Sequence, residues 1–229
     1  MTQVPLNALE LTGRSAAHVR EVPALGARLH AGVIDAANAL REASARAGLD
    51  VAIVSSFRDF SRQSGIWNRK FRGEQAVFDR AGRPLPMTAM SGPERVRAIL
   101  IWSALPGASR HHWGTDFDVY DRAAVPADYR PELTVAEYTG GGPFVRLNEW
   151  LAANLGNHGF FRPYRTDHGG VSPEPWHLSY APVSVPALQA LTLEVLTEAI
   201  EGSELEGREH ALAQLPEIHE RYVASIDAP

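Results

Sequence analysis

The chain has no cysteine among its 229 residues, which removes disulfide frameworks and thiolate metal sites together. Any zinc must then be held by His, Asp or Glu, a donor set that favours a site with an open coordination position over a closed structural one. The opening stretch MTQVPLNALELTGRS lacks the basic start and apolar run of a secretory signal. No segment approaches the ~18 apolar residues a spanning helix needs, so no membrane span is expected. If Met1 is the natural start, the expected compartment is the cytoplasm; if a leader was removed, it is the periplasm or the extracellular space. A positive charge excess is missing too. Lys and Arg number 22 against 27 Asp and Glu, a net charge of -5, which offers no basic field for nucleic acid. The one local basic run, Arg69, Lys70 and Arg72, reads as the solvated face of a helix.

What is present is an ordinary globular composition, 45% hydrophobic and 21% charged, long enough for one domain or for one domain with an added terminal segment. A monomer is expected. Residues 24–47 carry Leu25, Leu29, Val33, Ala37 and Leu40 at three-to-four spacing, predicting an amphipathic helix ended by Gly48. DVAIVSSF reads as a buried strand with Arg58 just beyond it, and 60–72 as a helix bearing Ile66, Trp67 and Phe71. The Gly/Pro-rich stretch 73–92 reads as a loop, a candidate flap. Ser91 and Glu94 form a capping-box pattern opening a helix over 93–104. Asp116 to Val119 alternate as a strand does. A helix is expected over 144–155, extended chain around Trp176 to Tyr180, and helices from about Pro186 onward. The order implies an α+β domain with a small sheet, without regular βαβ alternation.

Nine histidines are present. His18, His30, His210 and His219 lack acidic neighbours at ligand spacing and read as surface or structural residues. His158 and His168 are loop candidates, either cleft-lining or bonded to backbone. His111 and His112 precede TDFDVYD, and His177 follows Glu174 by three. Zinc accepts imidazole nitrogen and carboxylate oxygen, typically three protein ligands plus water in a catalytic site. His111, Asp118 and His177 would supply such a set, although H-x6-D by itself is a weak signal. Pro175 pushes Glu174 toward extended backbone. A carboxylate beside a ligand, not itself binding, is placed to take a proton from attacking water. Trp176 reads as a core residue, and Arg58 as either a site residue or a structural ion-pair partner.

Three blocks taken in order resemble the LAS metallopeptidases, the superfamily of lysostaphin, D-alanyl-D-alanine peptidases and the hedgehog signalling domain. They are closest to its vancomycin-resistance type D-alanyl-D-alanine carboxypeptidase branch. SSFRDFSRQ at 55–63 is similar to S-G-Y-R-S-x-x-x-Q, with Arg58 and Gln63 in register. SRHHWGTDFD at 109–118 is similar to S-x-H-x-x-G-x-A-x-D, with Ser109, His111, Gly114 and Asp118 in register. EPWHLSY at 174–180 is similar to E-x-W-H-x-R-Y, with Glu174, Trp176, His177 and Tyr180 in register.

The resemblance implies a small, mainly antiparallel sheet flanked by helices, a catalytic domain over 20–185, and a C-terminal helical extension over 186–229 packed on it. It implies one Zn2+ held by His111, Asp118 and His177, with Glu174 as general base and then acid. Arg58 would sit at the scissile carbonyl or a substrate carboxylate, and Ser109, Gln63, Ser56 and Tyr180 would bind substrate. The implied activity is a D,D- or L,D-carboxypeptidase acting on a muropeptide or D-Ala-terminated peptide. A D-Ala-D-Ala dipeptidase, a peptidoglycan endopeptidase and a non-catalytic zinc-stabilised binding domain are the alternatives. Three positions depart from the pattern. Asp116 replaces Ala and reads as a residue that orients His111 or His112, a cationic-substrate contact or an alternative ligand. Ser179 replaces Arg, and Phe57 replaces Tyr.

Overall fold

The computed structural model describes residues 5–229. Asn7 and Glu10 form a reciprocal cap on the short helix α1 (Ala8–Leu11). An antiparallel hairpin follows, β1 (Val19–Val22) against β2 (Ala27–His30), with register running from Val19 opposite His30 to Val22 opposite Ala27. This corrects the helix expected from residue 24, since α2 spans only Ile34–Arg46. Pro23 starts a 3-10 turn, and Gly26 closes it in the left-handed region at φ 61°, a conformation that suits glycine. Leu29 sits at a spacing that fits either period, and on β2 it is fully buried.

The strand β3 (Val51–Ser55) leads to helix α3 (Phe60–Phe71), capped by the Asp59 side chain. β3 was expected buried, yet it lies at the sheet edge and Val54 is 41% exposed. Its register against β4 shifts between Ile53 and Ser55, a bulge that re-aims the chain just before Arg58. The 73–91 stretch does not hang free as a flap would. Val77 and Met87 are buried, Phe78 bridges Pro84, and Arg80 reaches Asp167, Ser172 and the Gly170 carbonyl. Helix α4 (Gly92–Leu100) opens on the Ser91/Glu94 capping box and stops short of the expected 104.

After β4 (Asp116–Asp121) come α5 (Val135–Tyr138), α6 (Val145–Asn154), β5 (Phe160–Phe161) and β6 (His177–Tyr180). The tail forms α7 (Ala181–Ala190), α8 (Leu193–Glu201), α9 (Arg208–Ala213) and α10 (Leu215–Ile218), with Pro186 inside α7. The sheet order is β3-β4-β6-β5, every neighbour antiparallel: an α+β fold with small antiparallel sheets.

Strand alternation divides this sheet. Phe117, Val119 and Leu178 face a core shared with Leu40 of α2 and Leu147 and Leu151 of α6. Asp116, Asp118, His177 and Ser179 belong to the other face. A second core joins Trp67 of α3, Ile99 and Leu100 of α4, Trp113, and Leu196, Ile200 and Leu215 of the tail. Each such side chain contributes roughly 1.5–3 kcal/mol on full burial. The polar sheet face is thereby held as a rigid platform.

Candidate metal centre

β4 and β6 set the geometry directly. Asp118 pairs with His177 across the strands, and Asp116 with Ser179. His111 enters from a 3-10 turn, Arg110–Trp113, that ends at Gly114 with φ 65°. A Cβ at Gly114 would lie 2.7 Å from the His30 backbone nitrogen. That close approach, where His30 N–H donates to the Gly114 carbonyl at 2.8 Å, requires glycine.

The imidazole orientations follow from their hydrogen bonds. His111 Nδ1 lies 3.1 Å from the Ser56 carbonyl, which only accepts, so Nδ1 carries the proton and Nε2 is the free donor atom. His111 Nε2 is 3.5 Å from Asp118 Oδ2. His177 Nε2 is 3.0 Å from Asp116 Oδ1, which turns Nδ1 toward Asp118 Oδ1 at 3.2 Å and Glu174 Oε2 at 3.5 Å. One ligand atom from each of His111, Asp118 and His177 falls within 4.8 Å of the others, and all three residues are buried.

The charge balance fits a metal cation. Buried Asp118 Oδ1 has no well-aligned hydrogen-bond partner, and His177 Nδ1 lies 3.2 Å from it; a proton on Nδ1 or a metal cation bound by both atoms satisfies this pair. Without the metal, burial disfavours charge on His177, but Asp116 and Asp118 outweigh it and hold the ring up at about 10. His111 is pushed down to about 3, first by burial and then by Arg58 and His177 against the pull of Asp118, so it stays neutral. Burial would raise the Asp118 carboxyl, yet His111, His177 and Arg58 hold it below the usual range. Two neutral imidazole nitrogens and one carboxylate oxygen form a zinc-type donor set; calcium or magnesium would ask for more oxygens.

Glu174 lies beside this group without belonging to it. Its backbone N–H donates to the Tyr164 carbonyl at 2.8 Å, and its carbonyl accepts from His177 N–H at 3.1 Å. Burial lifts its carboxyl to about 7, Asp118 adding to the rise and His177, Arg58 and Lys70 opposing it. The Tyr164 ring packs edge-on against His177, centroids 5.1 Å apart.

The Arg58 guanidinium donates to Gln63 Oε1 at 2.7 Å and to Ser55 Oγ at 3.0 Å. Gln63 is 1% exposed, and its amide nitrogen donates to the Ala104 carbonyl at 2.7 Å. Expected to bind substrate, Gln63 instead spends both ends of its amide on protein. Ser56 is also committed: its Oγ accepts from Arg28 N–H at 3.1 Å and its carbonyl serves His111. Ser109 is buried, and its carbonyl accepts from His112 N–H at 3.0 Å. Tyr180 belongs to the other sheet face, its ring 5.2 Å from that of Phe160 in the apolar core, and so does not line the centre.

Asp116 contacts His177, not His111 or His112. Of the four histidines expected to be surface or structural residues, His18 and His30 are buried, with His18 Nε2 2.9 Å from the His112 carbonyl. His168 sits on a loop 3.5 Å from Asp227 and His158 in a 3-10 turn, neither in the metal group. Sequence reasoning missed three contributors. Arg110 bonds to Asp116. His112 holds the Arg58 backbone by donating from Nδ1 to its carbonyl at 2.5 Å while Nε2 accepts from Gly107 N–H at 3.1 Å. Lys70, read as a solvated charge, is half-buried with its ammonium 2.5 Å from Ser103 Oγ; only Arg69 and Arg72 of that run behave as surface residues. The adjacency of His111 and His112 was the available signal for the second. A surface groove of about 310 Å³ among Leu193, Leu212 and Pro216 shares no residue with the centre.

The chain is similar to several known proteins. Two uncharacterized Haemophilus influenzae proteins are similar, one 36% identical over 52% of this chain and 92% of its own length. The other is 40% identical over 42% of this chain and 67% of its own. The fold is similar to that of VanYB solved with D-alanine-D-alanine, at TM-score 0.53 and 20% identity over 81% of this chain and 89% of that one. It is likewise similar to a mutant of the vancomycin-resistance D,D-pentapeptidase VanY solved with Zn(II), at TM-score 0.53 and 19% identity over 86% and 92%. The family model of VanY, D-alanyl-D-alanine carboxypeptidase, matches residues 26–183. The chain therefore belongs to the VanY family of LAS-type peptidases.

Proposed function

We propose that this chain is a zinc-dependent carboxypeptidase that releases a C-terminal D-amino acid from cell-wall-type peptides. The observation that carries the reading is the buried group of His111, Asp118 and His177 with Glu174 held beside it and outside it. When bound, zinc supplies Lewis-acid polarisation of the scissile carbonyl and acidifies a water molecule. The protein's own residues do the rest. Glu174, poised near neutrality at about 7, takes the proton of the attacking water and returns it to the leaving amine. Arg58, fixed by Gln63 and Ser55, presents a preorganised guanidinium to the charge developing on the carbonyl oxygen.

Lys70 supports an exopeptidase over an endopeptidase. Its ammonium pairs with no carboxylate among the described residues, and it interacts electrostatically with Arg58 and Glu174. α3 carries Gln63 and Lys70 two turns apart, laid against neighbouring residues Ala104 and Ser103. Lys70 is thus a half-buried cation without a carboxylate partner of its own on the Arg58 and Glu174 side of α3, a partner that the free carboxylate of a C-terminal residue brings. In the cytoplasm the substrate class would be free dipeptides or recycled wall fragments; outside it, intact wall peptides. Mass spectrometry of products from a panel of muropeptides and D-Ala-D-Ala, with and without chelator, tests the reading. Chelator-sensitive loss of one C-terminal residue is expected; no cleavage of any panel member would overturn it.

A further inference from the structure

Asp116 is fully buried and bears three hydrogen bonds. Its Oδ1 accepts from Arg110 Nε at 2.7 Å and from His177 Nε2 at 3.0 Å, while Oδ2 accepts from Thr115 Oγ1 at 2.5 Å. The Arg110 guanidinium is itself confined. Nη2 donates to Ser179 Oγ at 2.6 Å, Ser179 Oγ donates to Ser184 Oγ at 2.7 Å, and the group lies 4.7 Å from the Trp113 ring centroid. Arg110, Asp116, Ser179 and Ser184 are all buried, and Arg110 Nη1 has no hydrogen-bond partner, so packing sets the geometry of this network.

Asp116 and Ser179 face one another across β4 and β6. The small Ser179 leaves the volume that the Arg110 guanidinium fills, and Asp116 supplies the negative charge that this buried cation requires. Asp116, Arg110 and Ser179 therefore form one buried unit. His177 is where it acts, because a carboxylate on one imidazole nitrogen fixes which nitrogen carries the proton, aligns the ring and increases the basicity of the other nitrogen.

Resting on the zinc reading above, we infer that Asp116, locked by Arg110 and Ser179, is the positioning residue that aims His177 Nδ1 at the metal. A merely structural network would lower the melting temperature without changing the affinity of folded protein for metal. The test is zinc affinity by competition with a chromophoric chelator, together with the visible spectrum of the cobalt-substituted protein. Both are measured on the parent, on Asp116→Asn, and on the double variant Arg110→Met/Asp116→Ala, which leaves no unpaired buried charge. Kd for zinc is expected to rise roughly 10–100-fold in the double variant and less in Asp116→Asn, which keeps an acceptor oxygen. The cobalt bands should shift in both. Parent-like Kd and spectrum in folded Asp116→Asn and in the double variant would overturn the positioning role. A parent that binds no zinc would instead overturn the zinc reading on which it rests.

Discussion

His112 Nδ1 donates to the backbone carbonyl of Arg58 at 2.5 Å, while His111 Nδ1 donates to the Ser56 carbonyl at 3.1 Å, so adjacent histidines brace the same junction and only one of them faces Asp118. His111 turns toward Asp118, and His112 fixes the strand-to-helix junction from which the guanidinium extends. His112→Gln keeps an acceptor for Gly107 N–H but loses the rigid ring. The expected result is stoichiometric zinc with kcat reduced roughly 10–100-fold, the scale of a small misplacement of a catalytic group. Unchanged kcat in zinc-loaded variant would remove His112 from the account.

Lys70 tests the exopeptidase assignment separately. Lys70→Met should raise KM about tenfold for a peptide with a free C-terminal carboxylate, the order expected for losing one partly buried charge contact. The same peptide capped as an amide should bind parent and variant alike. Equal effects on both peptides would assign Lys70 a structural role.

Acid stability follows from the buried imidazoles. Burial, with His18 nearby, pushes His30 down to about 4, whereas an unfolded histidine titrates near 6.5. Between those values the unfolded chain binds the extra proton, so stability is present at neutral pH and is lost as pH falls from about 6.5 toward 4. The size is on the order of 3 kcal/mol at full effect. His30→Gln should therefore shrink the drop in melting temperature of metal-free protein between pH 7 and pH 5. An identical drop in parent and variant would show that His30 does not titrate as its burial requires.

Much of this was legible in the residues. Asp116 to Val119 alternate because one sheet face is core and the other is the site, and the same rule makes His177 share a face with Ser179. Applied one residue further, that parity already removes Tyr180 from the site. β2 was hidden because Leu25, Leu29 and Val33 satisfy a helical spacing while Leu29 alone serves the strand, whose partner lies across the Gly26 turn. The partners of Asp116 and the double commitment of Gln63 depend on where long side chains reach once elements pack, which spacing along the chain does not encode. Lys70 looked solvated because its neighbours are.

The central claim, a zinc held by His111, Asp118 and His177 with proton transfer by Glu174, is tested most directly by measuring zinc content and turnover on the same preparations. Glu174→Gln should retain one zinc per chain and lose turnover by roughly 10²–10⁴-fold, the range for a general acid–base group. His177→Ala should lose both. Near-parent turnover in Glu174→Gln, or a full zinc complement in His177→Ala, would contradict the account.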